Sequence, residues 1–143
     1  MIKRFFYNNE LIAFVIKRDY TKEGITFFTD DEFPEQIAYM SHKKDTVVMA
    51  HVHNKIERKI LVTQEVLILK KGKIRLDLYN ENKEYIESYI AEAGDIIFLA
   101  SGGHGLKCLE DVEMYEVKQG PYLKEQDKVR FQEVEDEKVI IND

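Results

Sequence analysis

Hydrophobic and polar positions alternate with a period of two along most of the chain, the spacing of strands with one covered face. The pattern predicts strands in "ELIAFVIKRD", "GITFFTDD", "DTVVMAHVHN", "KILVTQEVLILKKG", "GKIRLDLYN", "EYIESYIAEAG", "GDIIFLASGG", "HGLKCLEDV" and "EMYEVKQGPY". Gly, Asn and Asp punctuate them, and "NENK" (Asn80 to Lys83) reads as a hairpin turn. One stretch departs from the period. In "FPEQIAYMSHK", Pro34 suits a first helical turn, and Ile37 and Met40 stand at helical spacing. The expectation is an all-β sandwich or barrel with a short N-terminal helical segment.

Within "VVMAHVHNK", His51 and His53 take places on the alternating face that Val47 and Met49 begin. Residues i and i+2 of a strand point the same way, so two imidazoles at this spacing can share one metal ion. Glu65 falls on the face of Leu67 and Leu69, where a carboxylate is costly to bury unless it is paired or coordinated. Gly72 follows Glu65 after six residues. Farther on, "GDIIFLASGGHG" places a Ser-Gly-Gly corner just before His104.

These residues together resemble the cupin superfamily. Its first motif is a His-any-His pair followed by a Glu six residues before a Gly, here His51, His53, Glu65 and Gly72. Its second is a Gly, an apolar strand, a tight turn and a third His, here Gly94, "DIIFLASGG" and His104. The resemblance covers about Val47 to Val117. It implies a cupin-type β-barrel (a double-stranded β-helix or jelly roll) filling a single domain over 1–143, with the motif-bearing barrel at about 45–120 and strands flanking it. It also implies that His51, His53, Glu65 and His104 hold one divalent metal. Two departures stand out. Eleven residues separate His53 from Glu65 where the family usually has three or four, and Ala100 replaces the usual turn proline. Gln64, Glu57 or water are the alternatives for the fourth ligand.

Such a donor set suits Mn, Fe, Co, Ni, Cu or Zn. The function expected is that of a metal-binding enzyme of small molecules, a sugar isomerase or epimerase with a carbohydrate-like substrate. A cupin dioxygenase and a non-catalytic metal- or ligand-binding module are the alternatives. No catalytic acid or base stands out; Glu57, Tyr115 and Glu116 are candidates only by their proximity to the motifs.

Composition narrows the partners. The 143 residues fit one domain, and a net charge of −6 without a basic stripe argues against nucleic acid. No run reaches the ~18 apolar residues of a membrane span. The single cysteine, Cys108, and the lack of a signal-peptide cleavage pattern fit a cytoplasmic protein. Cys108 itself is expected as a small buried hydrophobe, and His42 as a surface residue. Arg58 and Lys59 are expected in a solvated loop. The alternating Arg75, Asp77 and Tyr79 suggest an outer face or a subunit contact. The acidic "EVEDEK" is expected to be solvated. The apolar strands "LIAFVIK" and "GITFFT" suggest sheet edges covered in a homodimer.

Overall fold

The computed structural model describes residues 1–142; Asp143 lies outside the described residues, as does the side chain of Glu125. The chain is all-β, with ten strands and two short 3-10 turns at 124–126 and 136–138 among the described residues. It divides into two compact units, 1–20 with 63–142, and 21–62.

The larger unit holds eight strands: β1 (Ile2–Tyr7), β2 (Glu10–Ile16), β5 (Glu65–Lys71), β6 (Lys73–Tyr79), β7 (Tyr85–Glu92), β8 (Ile96–Leu99), β9 (Gly103–Cys108) and β10 (Glu113–Lys118). Five form an antiparallel sheet in the order β1-β2-β8-β5-β10, and three form another in the order β7-β6-β9. One apolar cluster joins the sheets: Ala13, Val15, Leu67, Leu69, Ile97 and Leu99 from the first, and Ile74, Leu76, Leu78 and Ala91 from the second. Phe5 meets Tyr89 edge to face across that layer. The unit is therefore a sandwich, and no sheet in it closes into a barrel.

From β5 to β10 the chain changes sheet four times, and three of the changes are made at glycine corners. Gly72, Gly94 and Gly102 all have positive φ and fall at turns, as the sequence suggests. At Gly72 (φ +83°) a Cβ would stand 2.2 Å from the Asp111 carbonyl oxygen, so only glycine fits. Beside Gly94, the fully buried Asp95 carboxylate locks the corner. It accepts from Lys17 Nζ at 2.7 Å and from the Arg18 and Glu92 amides at 3.0 Å each.

The acidic run "EVEDEK" is exposed except at Val134, as expected, but the C-terminal residues are held in place. They run as a strap along the second sheet on the side opposite the core. Phe131 packs edge-on against Tyr79, and the Val134 amide donates to the Tyr79 hydroxyl at 2.9 Å. Asp136 pairs with Arg75 and Lys107. Ser88 then bridges to Ile141, extending the β7 edge. Beneath the strap, Arg75 donates twice to Asp77, at 2.7 and 2.9 Å, and Ser88 donates to Asp77 as well. The face of Arg75, Asp77 and Tyr79 is thus outward, as expected, but the chain's own strap covers it. The acidic run supplies Asp136, which is fixed by two cations.

The smaller unit is built on a hairpin of β3 (Gly24–Phe27) and β4 (Ala38–Ser41). The short helix expected over "FPEQIAYMSHK" is replaced by β4. Helical spacing of two apolar residues is outweighed by cross-strand pairing of Tyr39 with Thr26 and Met40 with Ile25. The hairpin is tied beyond its strands by the Phe28 amide on Ile37 O at 3.0 Å. The strand expected over "DTVVMAHVHN" does not form; residues 42–62 are irregular. Val47 is 86% and Val52 90% exposed, so both faces of the alternation lie open. Strand propensity reflects packing on a half-covered pleat, and an unpaired, uncovered segment has neither ladder nor face. For the same reason the strand expected from Lys59 begins only at Glu65. Two other expectations change. Cys108 is exposed rather than buried. "LIAFVIK" is no sheet edge, because β2 lies between β1 and β8. No helix among the described residues is long and apolar enough to cross a membrane.

Candidate functional site

Of the four residues in the expected ligand set, the structure brings together Glu65 and His104. Glu65 opens β5 on the inward face shared with Leu67 and Leu69. The ladder sets it opposite Leu99 of β8 on one side and Lys118 of β10 on the other. His104 stands on β9, opposite Leu78 of β6, so it belongs to the facing sheet. Its approach depends on the turn before it. Gly102 adopts φ +67°, and a Cβ there would lie 2.3 Å from the Tyr79 carbonyl oxygen. The result is His104 Nε2 at 3.2 Å from Glu65 Oε2, with side-chain exposures of 33% and 12%.

Lys118 completes the surroundings. Its ammonium is 3.9 Å from Glu65 and 3.5 Å from Asp127, and it lies over the Tyr122 ring at 5.6 Å. His104 holds the Glu65 carboxyl below its ordinary pKa through their hydrogen bond, which outweighs the upward push of burial; Lys118 adds to the lowering. Burial is the largest single influence on Lys118 and pulls its pKa down. Glu116, Glu65 and Asp127 together overcome it and lift the ammonium above its ordinary value. Lys118 thus stays charged and Glu65 stays ionised at neutral pH.

His51 and His53 lie in the irregular part of the smaller unit, exposed rather than on a buried strand face. Their rings still meet, with centroids 5.2 Å apart at 77°, and His51 Nδ1 is 3.0 Å from the Met49 carbonyl oxygen. Among the described residues, no three His, Cys, Asp or Glu side chains stand close enough to hold one ion. Gln64 is buried; its side-chain nitrogen donates to Ala100 O at 3.2 Å, and its backbone N–H donates to Gln119 Oε1 at 2.7 Å. Glu57 is exposed in the irregular segment, and Glu116 and Tyr115 are exposed on β10.

Lys118 and Asp127 are the residues that reading the sequence for ligands missed. Strand parity carried a signal for the first, since Met114, Glu116 and Lys118 alternate along β10. Nothing local marked Asp127, which reaches Lys118 only through the chain reversal after β10.

The donor chemistry of the Glu65–His104 pair fits a metal. Two ligand atoms at about 2.1 Å from one ion stand roughly 3.0 to 3.4 Å apart for cis-octahedral or tetrahedral angles. The observed 3.2 Å lies in that interval. It is also at the long end of the range for an ordinary N–H···O hydrogen bond. No protein-family model, curated protein or solved structure matches the chain.

Proposed function

We propose that this chain is a metal-binding protein of cupin type that acts on a small, carbohydrate-like molecule as an isomerase or epimerase. The observation that carries the reading is the meeting of Glu65 and His104. They are the carboxylate and the third histidine of the two motifs, they come from facing sheets, and they stand at a separation two ligands of one ion would have. The succession of strands that change sheet at Gly72, Gly94 and Gly102 is the kind of path a jelly roll needs, and it supports the same reading.

In this reading Glu65 and His104 would hold a divalent Mn, Fe, Co, Ni, Cu or Zn ion. Such an ion would supply Lewis-acid chemistry toward a hydroxy-ketone. The chain's own residues do the rest. Lys118 presents a charged donor beside Glu65 and adds to the His104 hydrogen bond that lowers the pKa of that carboxyl. The buried Leu67 and Leu69 exclude water behind it. The non-catalytic alternative, a module that only binds metal or ligand, is favoured by one observation. Among the described residues, Lys118, itself paired to Asp127, is the one further acid or base ion-paired to Glu65 or His104.

The test is elemental analysis after dialysis against Mn, Fe, Ni and Zn, followed by thermal melting. Wild type should retain one ion per chain and melt higher with it, because a ligand bound only by the folded state stabilises that state. His104→Ala and Glu65→Ala should both lose the ion. If His51→Ala and His53→Ala lose it too, the four act on one metal. If all four variants keep wild-type metal content, or wild type takes up none, the metal reading fails. A metal-loaded protein inert toward ketose–aldose pairs leaves the binding-module alternative.

A homodimer is proposed with it. On the β3–β4 hairpin, Ile25, Phe27 and Met40 share one face and are all exposed, an apolar stripe suited to cover by a second copy.

A further inference from the structure

The larger unit has a cleft of about 160 Å³ that the Glu65–His104 pair does not use. Tyr7, Asn8, Glu10 and Ile12 line it from the β1–β2 hairpin, and Asn80, Glu81 and Asn82 line it from the β6–β7 turn. Both walls are fixed. Asn8 and Asn9 sit at φ 49° and 65°, the left-handed pair that a two-residue hairpin turn requires. The opposite turn is closed by the Lys83 amide on Asn80 O at 3.0 Å. It is closed again by the Asn80 side chain, which accepts from the Glu84 amide at 3.0 Å and donates to the Glu84 carboxylate at 2.7 Å. Asn80 is thereby used up within its turn.

The other polar side chains of the cleft are not. Tyr7, Asn8, Glu10, Glu81 and Asn82 make no side-chain hydrogen bond or ion pair among the described residues. The lining contains two carboxylates, two free amides, a phenol and a buried aliphatic floor at Ile12, and no Lys, Arg or His. An anion is repelled by this set. A neutral polyol is matched by it: carboxylates accept pairs of hydroxyls, amides both donate and accept, and the Tyr7 ring offers a flat surface for C–H groups. The volume is below the ~300 Å³ at which drug-sized pockets begin, which restricts the ligand to about one sugar ring.

We propose that this cleft between the two turns is a binding site for a neutral polyhydroxylated molecule of monosaccharide size, recognised by Glu10, Glu81, Asn8 and Asn82 with Tyr7 as platform. The inference stands on the cleft alone and does not depend on a metal at Glu65 and His104.

The experiment is amide-resolved NMR of the full chain titrated separately with glucose, myo-inositol and calcium chloride. The expected result is a saturable shift of the Asn8, Asn82 and Tyr7 signals with a polyol. Glu81→Ala and Asn82→Ala should each weaken it about two- to tenfold, the worth of one hydrogen bond. These residues lie on turns, and an unchanged circular dichroism spectrum confirms that the variants fold. His104→Ala should bind the polyol as wild type does, which separates this site from the proposed metal site. No saturable shift with either polyol, a shift unaltered in Tyr7→Ala with Glu81→Ala, or a response to calcium alone would overturn the proposal.

Discussion

Replacing Asp77 with alanine tests how the strap and the second sheet hold together. The Asp77 and Arg75 side chains are 4% and 9% exposed and joined by two hydrogen bonds of 2.7 and 2.9 Å. Ser88, fully buried, also donates to Asp77. Removing the carboxylate leaves Arg75 with Asp136 alone, through a different nitrogen, and leaves the Ser88 hydroxyl with the Tyr85 hydroxyl as its remaining side-chain partner. Breaking a buried ion pair from one side costs about 3–5 kcal/mol because the remaining charge stays desolvated. Asp136 retains part of the compensation, so the lower end applies, about 3 kcal/mol. For a chain of this size roughly 3 °C accompanies each kcal/mol, giving a fall of about 10 °C in melting temperature. Urea unfolding followed by circular dichroism, with Asp77→Asn as the shape-preserving control, measures it. The asparagine variant should lose less, since it keeps an acceptor for Ser88. A loss below ~1 kcal/mol for Asp77→Ala, the range of exposed pairs, would refute the account of a buried and compensated charge.

Gly102→Ala should destabilise the chain by at least ~2 kcal/mol, since both its positive φ and the 2.3 Å approach to Tyr79 O exclude a Cβ; denaturant midpoints check this, and metal content should fall with it if the turn is what delivers His104. Asp136 has its pKa lowered by Lys107 first and Arg75 second. A depressed carboxylate contributes stability above its ordinary value and loses it as pH falls through the lowered one, so proteolysis of the strap should rise only below about pH 4. Phe27→Lys should shift a concentration-dependent sedimentation profile to monomer; an unaltered profile, or a wild type that is monomeric throughout, removes the β3–β4 face as a dimer contact.

The sequence by itself determined the strand-rich class and most strand positions from β5 to β10. There period-two alternation coincides with glycine corners at Gly72, Gly94 and Gly102, and at Gly72 and Gly102 a backbone carbonyl leaves no room for a Cβ. It also determined that Glu65 would face inward with Leu67 and Leu69, because parity along a strand is a local property. Tertiary structure decided the rest. Whether "TVVMAHVHN" becomes a strand depends on a partner edge and a covering face, which no local alternation supplies. Whether Ile37 and Met40 mark a helix was settled by the pairing partner at Ile25 and Thr26. The strap over Arg75 and Asp77 was illegible because its contacts join residues some sixty positions apart, as in Arg75 with Asp136. The meeting of Glu65 with His104 combines both: motif spacing named the two residues, and only the packing of one sheet on the other brought imidazole and carboxylate within reach.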